Sequence, residues 1–215
     1  MPEKKRPRRT PQRILETSLA LFNRLGEPHI TTADIADEMN ISPGNLYYHF
    51  RNKDDIIGAL YEALEAEILP LFVLPDQRGA GVEDLWLLLH LLFERMWSYR
   101  FLFRDLDELA SRNRKLASRF AELVRRGERT VIELSEGMVA AGTMHASARE
   151  IAALAKNVAL VATYSLSFQR LGAPPGADVE TPRLDRAAYQ VMALVAPFLH
   201  GDARALIDRL GDEYL

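Results

Sequence analysis

Between Thr31 and Lys53 the chain runs TTADIADEMNISPGNLYYHFRNK, and Asn45, Tyr47, Tyr48 and His49 fall together just ahead of a basic corner, Arg51-Asn52-Lys53. An amide, phenols, an imidazole and cations in one cluster suit phosphate oxygens and base edges. Core packing is the competing account of the aromatics, more for Tyr47 than for Tyr48. Two short helices joined by a tight turn would position the cluster. Thr31 or Thr32 can cap the first helix through its hydroxyl. Asp34 adds negative charge near the positive end of that helix dipole. Ile35, Ala36 and Met39 give it one apolar stripe. Asn40 tolerates the left-handed conformation that a sharp stop needs, and Ile41 turns inward. Ser42 caps the second helix, with Pro43 at its first position, where the missing N–H costs nothing. Gly44 is about 1 kcal/mol worse than Ala in a helix, a cost that close approach to a groove floor would justify. Leu46 and Phe50 share the buried face. This is the layout of a helix-turn-helix, whose second helix enters the DNA major groove.

Other chemistry is not spelled out. The five histidines, at 29, 49, 90, 145 and 200, form no pair at metal-ligand spacing, and no HExxH occurs. There is no cysteine, which excludes disulfides and thiolate metal sites. Gly79 and Gly81 follow no strand, so a phosphate loop is not indicated. Asp105, Asp107 and Glu108 fit a solvated helix face, and no serine-nucleophile elbow is present. No cofactor and no metal are expected. An all-helical enzyme, with a catalytic constellation built in the middle helices, is the alternative of a different class.

The formal net charge of −3 over 215 residues looks wrong for a DNA binder. Its distribution resolves this. Residues 1–13 carry Lys4, Lys5, Arg6, Arg8, Arg9 and Arg13 against Glu3, while residues 61–215 carry 18 basic and 22 acidic residues. The positive end is the helix-turn-helix end, as electrostatic steering toward DNA requires. A basic tail can be merely solvated, and it can also touch phosphates or the minor groove. The 48% hydrophobic content is ordinary for a globular protein. No apolar run approaches the roughly 20 residues needed to span a bilayer, and the N-terminus lacks a signal-peptide pattern. No membrane association and a cytoplasmic location are expected.

Glycine and proline divide the remainder into helices with almost no strand signal. The predicted helices run Lys53 to Leu69, Val82 to Ser98, Phe101 to Ser111, Arg114 to Ala141, a Ser147-capped helix to Leu171, and Leu184 to Leu210 broken near Pro197 and Gly201. The fold class is therefore all-α: a three-helix DNA-binding domain with a basic arm over residues 1–52, and a helical bundle for ligand binding and dimerisation over 53–215. Ile151 to Phe168 and Ala187 to Leu199 are apolar nearly all round, so each must be buried on more than one face. That surplus suggests a subunit interface, and two helix-turn-helix units are what a palindrome needs. The middle helices are rich in aromatics. A small-molecule pocket, mostly apolar with few polar anchors, is expected near His90, Phe93, Trp97, Phe101 and Arg104, with Tyr164 and Phe168 contributing. Trp86, His90, Phe93 and Trp97 keep the spacing that any buried helix face shows.

Ile30-Thr31-Thr32, Ile35-Ala36, Ile41-Ser42-Pro43-Gly44, Leu46-Tyr47-Tyr48-His49-Phe50 and Lys53-Asp54 resemble the DNA-binding domain of the tetracycline-repressor (TetR) family of bacterial regulators. The preceding segment, Thr10 to Leu25 with Ala20-Leu21-Phe22 and then Gly26, resembles it too. The likeness covers about the first quarter of the chain. It implies a homodimer joined through the last two long helices as a four-helix bundle, acting as a repressor that a small hydrophobic effector releases from a palindromic operator. A ligand-responsive activator, or a regulator without an effector, is the alternative. By the same resemblance Thr31 or Thr32, Tyr47, His49 and Lys53 hold phosphates. Pro43, Gly44, Asn45 and Tyr48 face base edges or thymine methyls, and Ser42 completes the DNA-binding set. Ala33 stands where some members carry a base-reading Arg, so part of the readout shifts to the basic arm.

Overall fold

The structure is a computed structural model, described over residues 10–74, 81–171 and 184–212. The basic arm before Thr10 and the loop at 172–182 lie outside the described residues. Within them the chain is all-α: helices α1 (Thr10–Leu25), α2 (Thr32–Glu38), α3 (Pro43–His49), α4 (Lys53–Ile68), α5 (Val82–Ser98), α6 (Arg100–Arg104), α7 (Leu106–Arg112), α8 (Arg114–Ala140), α9 (Ala148–Leu171), α10 (Leu184–Val195) and α11 (Gly201–Asp212). An isolated antiparallel bridge, Met144 to Leu199, is the one strand-like pairing among the described residues.

Local chemistry sets most boundaries. Thr31 caps α2 in a reciprocal capping box with Asp34. Asn40 takes φ 54°, the left-handed stop between α2 and α3. Asn52 caps α4 by accepting the Asp55 N–H at 2.8 Å. Ser147 and Glu150 make the equivalent pair at the start of α9. Pro70 does not end its helix outright; α4 tightens into a 3₁₀ turn, Leu69–Phe72, that contains it. The single helix expected over Phe101 to Ser111 is two, α6 and α7, parted at Asp105. Tertiary contacts explain the break, because Arg104 and Asp105 both turn toward the end of α1.

Helix α4 belongs to both ends of the molecule. Ile56, Ile57, Leu60, Tyr61, Leu64 and Ile68 are buried along it. It packs against α1 in the DNA-binding end and against α5 and α8 in the bundle. The hydrophobic core runs without a gap from Ile14 through α4 to Ile207.

The two broadly apolar segments part ways. In α10, Ala187, Ala188, Val191, Met192 and Val195 are all buried within the chain, packed against α5 and α9. Those five residues are covered within the chain, while Leu194 and Phe198 are only partly buried. In α9, Ile151, Leu154, Ala155, Val158, Ala162 and Leu166 face the core, but Leu160 (60% exposed), Tyr164, Phe168 (74%) and Leu171 (84%) form an outward stripe. By length and composition Ala148–Gln169 is apolar enough to cross a membrane, contrary to the expectation that no such run exists. Only scattered charges such as Lys156 interrupt it. Its inner face is committed to α6, α8 and α10, which fits a helix of a packed bundle.

Candidate nucleic-acid interface

Helix α3 is two turns long and cannot stand alone. Three features hold it. The Ser42 hydroxyl accepts the Asn45 N–H at 3.3 Å. Leu46 is fully buried beneath it. The Thr32 and Tyr47 hydroxyls meet at 2.9 Å and tie α2 to α3 across the turn. The opposite face is free: Ser42, Pro43, Gly44 and Asn45 are exposed, and Tyr48 is 84% exposed. A Cβ at Gly44 would meet nothing nearer than the Ser42 Oγ at 4.0 Å, so glycine is not required here by internal packing. Tyr48 lies edge-on to His49 with ring centroids 5.0 Å apart. At the start of α2 the Asp34 carboxyl is held below its usual range by hydrogen bonds from the Thr31 hydroxyl and backbone N–H. Arg51, of the basic corner, is exposed and pairs with Asp55 at 3.2 Å.

Lys53 is placed differently from the phosphate role expected of it. Its Nζ donates to the Glu27 carbonyl at 3.0 Å and the Ile30 carbonyl at 2.9 Å, and lies 2.8 Å from the Glu27 Oε1. These contacts take up the three N–H donors of an ammonium. Lys53 therefore fixes the loop that precedes α2. Lys53→Ala should lower thermal stability and weaken binding to every DNA sequence while leaving the salt slope of binding unchanged. A slope flattened by about one unit, measured by titration at several salt concentrations, would restore the phosphate contact.

Glu27, which the sequence did not single out, anchors this loop. It is fully buried, and its Oε1 also accepts from Arg112 at 2.7 Å. Its N–H donates to the Asp105 carboxylate at 3.4 Å. Partial burial pulls the Arg112 pKa down, but the hydrogen bond and charge of Glu27, with Asp54 and Glu108, outweigh it and leave the group raised. Nearby, Arg104 donates to the carbonyls of Phe22 at 3.3 Å and Asn23 at 2.6 Å. Asn23 donates to the Ser98 carbonyl at 2.8 Å and accepts the Phe101 N–H at 3.1 Å. Phe22 and Phe101 pack with centroids 5.1 Å apart. The end of α1 is thus clasped by the joint between α5 and α6.

Those contacts engage several residues of the expected pocket within the chain. Arg104 and Phe101 serve the joint. His90 is exposed, stacked on Trp86 at 5.5 Å and 3.6 Å from Glu94. Trp97 lies under Arg100 at 4.7 Å, and Phe93 is core. Tyr164 donates to Asp107 at 3.3 Å, and Phe168 is exposed. None of the seven lines a cavity that lies among the described residues of the bundle. That cavity lies between the end of α4, α5, α8 and α9, against Leu85, Leu88, Leu89, Leu92 and Met96. On α5 this is the face next to the aromatic stripe, and both faces are apolar enough to pass for the inner one.

A family model described as "Bacterial regulatory proteins, tetR family" matches residues 14–60, and one described as "Bacterial transcriptional repressor" matches residues 63–207, about two thirds of the chain. The chain belongs to the TetR family. A TetR-family transcriptional regulator from Marinobacter aquaeolei VT8 agrees over nearly the whole length: 33% identity, 95% of this chain and 98% of that one, TM-score 0.86. The class A tetracycline repressor from transposon 1721 of Escherichia coli is 37% identical over 57 residues, 26% of each chain. The match to such curated relatives thus spans about a quarter of their length. SmeT, the repressor of the Stenotrophomonas maltophilia multidrug efflux pump SmeDEF, has the same fold at 18% identity and TM-score 0.60, over 90% of this chain and 92% of that one. As TetR-family regulators do, the chain joins an N-terminal helix-turn-helix to a C-terminal helical domain.

Proposed function

We propose that this protein is a cytoplasmic, homodimeric repressor that reads a palindromic operator through α3 and leaves it when a small apolar molecule enters the bundle cavity. The observation that carries the reading is the outer face of α3. Pro43, Gly44, Asn45 and Tyr48 are exposed on a helix whose inner face, caps and Thr32–Tyr47 tie are all committed. Asn45 has the amide geometry that pairs with an adenine edge, Tyr48 and Pro43 offer apolar contact to thymine methyls, and Thr31, Thr32, Tyr47 and His49 lie where phosphates flank the groove. The domains divide at Asn52, with α4 leading from the DNA-contacting corner into the bundle. Dimerisation uses the α9 stripe, since one α3 covers a single half-site. A small-molecule effector is in keeping with a fold neighbour solved as a SmeT–triclosan complex.

A promoter carrying the protein's selected binding site, fused to a reporter, separates repression from activation. Deleting the protein should raise expression, and expression that falls instead would make it an activator.

A further inference from the structure

The cavity has an unusual lining for a site that must recognise a particular molecule. Its walls come from Ile68 and Phe72 at the end of α4, the leucines and Met96 of α5, Phe120, Val124 and Gly127 of α8, and Val158, Ala159 and Ala162 of α9. Thr163 supplies the one hydroxyl, and no lining residue is charged. The cavity between these walls has a volume of about 70 Å³. The space is narrow, and its walls are flexible apolar side chains.

Gly127 faces Phe72 on one wall. It sits inside the 27-residue α8, where glycine is a poor choice for a helix. A Cβ there would lie 3.4 Å from Phe72 Cζ and 3.8 Å from Cε1. An added methyl would touch the Phe72 ring at van der Waals distance without forcing it aside, and the Thr130 hydroxyl donates across to that turn, to the Phe72 carbonyl at 3.3 Å. Phe72 follows directly on α4, the helix that begins at Lys53. A molecule larger than the resting space must therefore press on Phe72 and Ile68, at the far end of the helix whose start anchors the loop before α2.

Resting on the effector-released reading above, we infer that the ligand is an uncharged, slim, hydrocarbon-like molecule, one or two rings or a short alkyl chain with at most one hydrogen-bonding group, directed to Thr163. Gly127 and Phe72 set its permitted width. A charged group has no counter-charge or cluster of donors to replace its water, which makes its burial costly. Arg104 and His90 are not among the residues that line this cavity, and Arg104 donates to the carbonyls at the end of α1.

The test uses the whole 215-residue chain and two fluorescent two-ring probes that differ by one sulfonate, neutral 1-naphthylamine and anionic 4-amino-1-naphthalenesulfonate. The neutral probe should bind once per chain and about ten-fold or more tighter than the anion. Ala162→Leu, which fills the space, should weaken the neutral probe about ten-fold, and Gly127→Ala should weaken it several-fold. Alanine favours the helix over glycine, so Gly127→Ala folds at least as well as the parent, which a thermal melt checks. Equal binding of both probes, or neutral-probe affinity unchanged in both variants, overturns the inference. Operator binding is measured on the same samples. If it persists while the probe result fails, the ligand class is wrong and the regulator stands. If the protein binds no specific DNA, the functional reading itself fails.

Discussion

Glu27→Ala should lower the thermal midpoint by about 5–10 °C and abolish high-affinity operator binding at temperatures where the parent is fully folded. The carboxylate is fully buried and is shared by Lys53 at 2.8 Å and Arg112 at 2.7 Å. Removing one partner of a fully buried pair costs about 3–5 kcal/mol. Here the side chains of Lys53 and Arg112 are 24% and 33% exposed. Water can reach both cations, so the loss should be nearer about 2–3 kcal/mol. For a chain of this size each kcal/mol shifts the midpoint by about 2–4 °C. Function should suffer beyond stability, because the same group joins the loop before α2 to α4 and α7. Glu27→Gln keeps the shape and loses the charge, and should fall between parent and alanine. Melting and DNA titration of the three proteins decide the matter. A Glu27→Ala protein that melts with the parent and binds operator normally would remove Glu27 from its place at the domain junction.

The second large effect concerns the outer stripe of α9. Leu160→Glu combined with Phe168→Glu should give a folded monomer whose operator affinity is lower by about a hundredfold or more, the loss expected when two linked half-site contacts become independent. Both residues are largely exposed in the single chain, so carboxylates there are hydrated in the monomer and buried without partners only in a dimer. Val158→Glu is a poorer probe, because Val158 is buried in the chain and lines the cavity; a charge there attacks the fold. Sedimentation equilibrium with circular dichroism reads both properties. A double variant that remains dimeric at micromolar concentration would place the interface elsewhere.

What could be read from the residues divides along physical lines. Caps, prolines and left-handed positions act over three or four residues, so Thr31, Asn40, Ser42 and Ser147 marked helix ends that the structure reproduces. The face of α3 was legible for the same reason, since a two-turn helix with one buried leucine leaves little freedom. Long-range partners were not legible. Nothing local distinguishes Lys53 as the ligand of two carbonyls and a carboxylate some 23 to 26 residues away, or Glu27 as a buried anion. Helix α5 is apolar on two adjacent faces, and spacing alone does not separate the aromatic one from the leucine face that lines a cavity. In α10 the sequence shows an apolar helix, and only the fold shows that α5 and α9 cover its inner face. Composition states how much surface must be covered, and only packing states by what.

The most direct test is selection of bound sequences from random double-stranded DNA by the parent protein and by Asn45→Ala. The parent should enrich a palindrome whose half-site centres are one helical turn, about 34–36 Å, or a multiple of it apart. Asn45→Ala should enrich the same palindrome with preference lost at one or two symmetric positions, each worth about 1–3 kcal/mol in the parent. No enriched palindrome, or an identical profile from Asn45→Ala, would contradict the assignment of α3 as the helix that reads the operator.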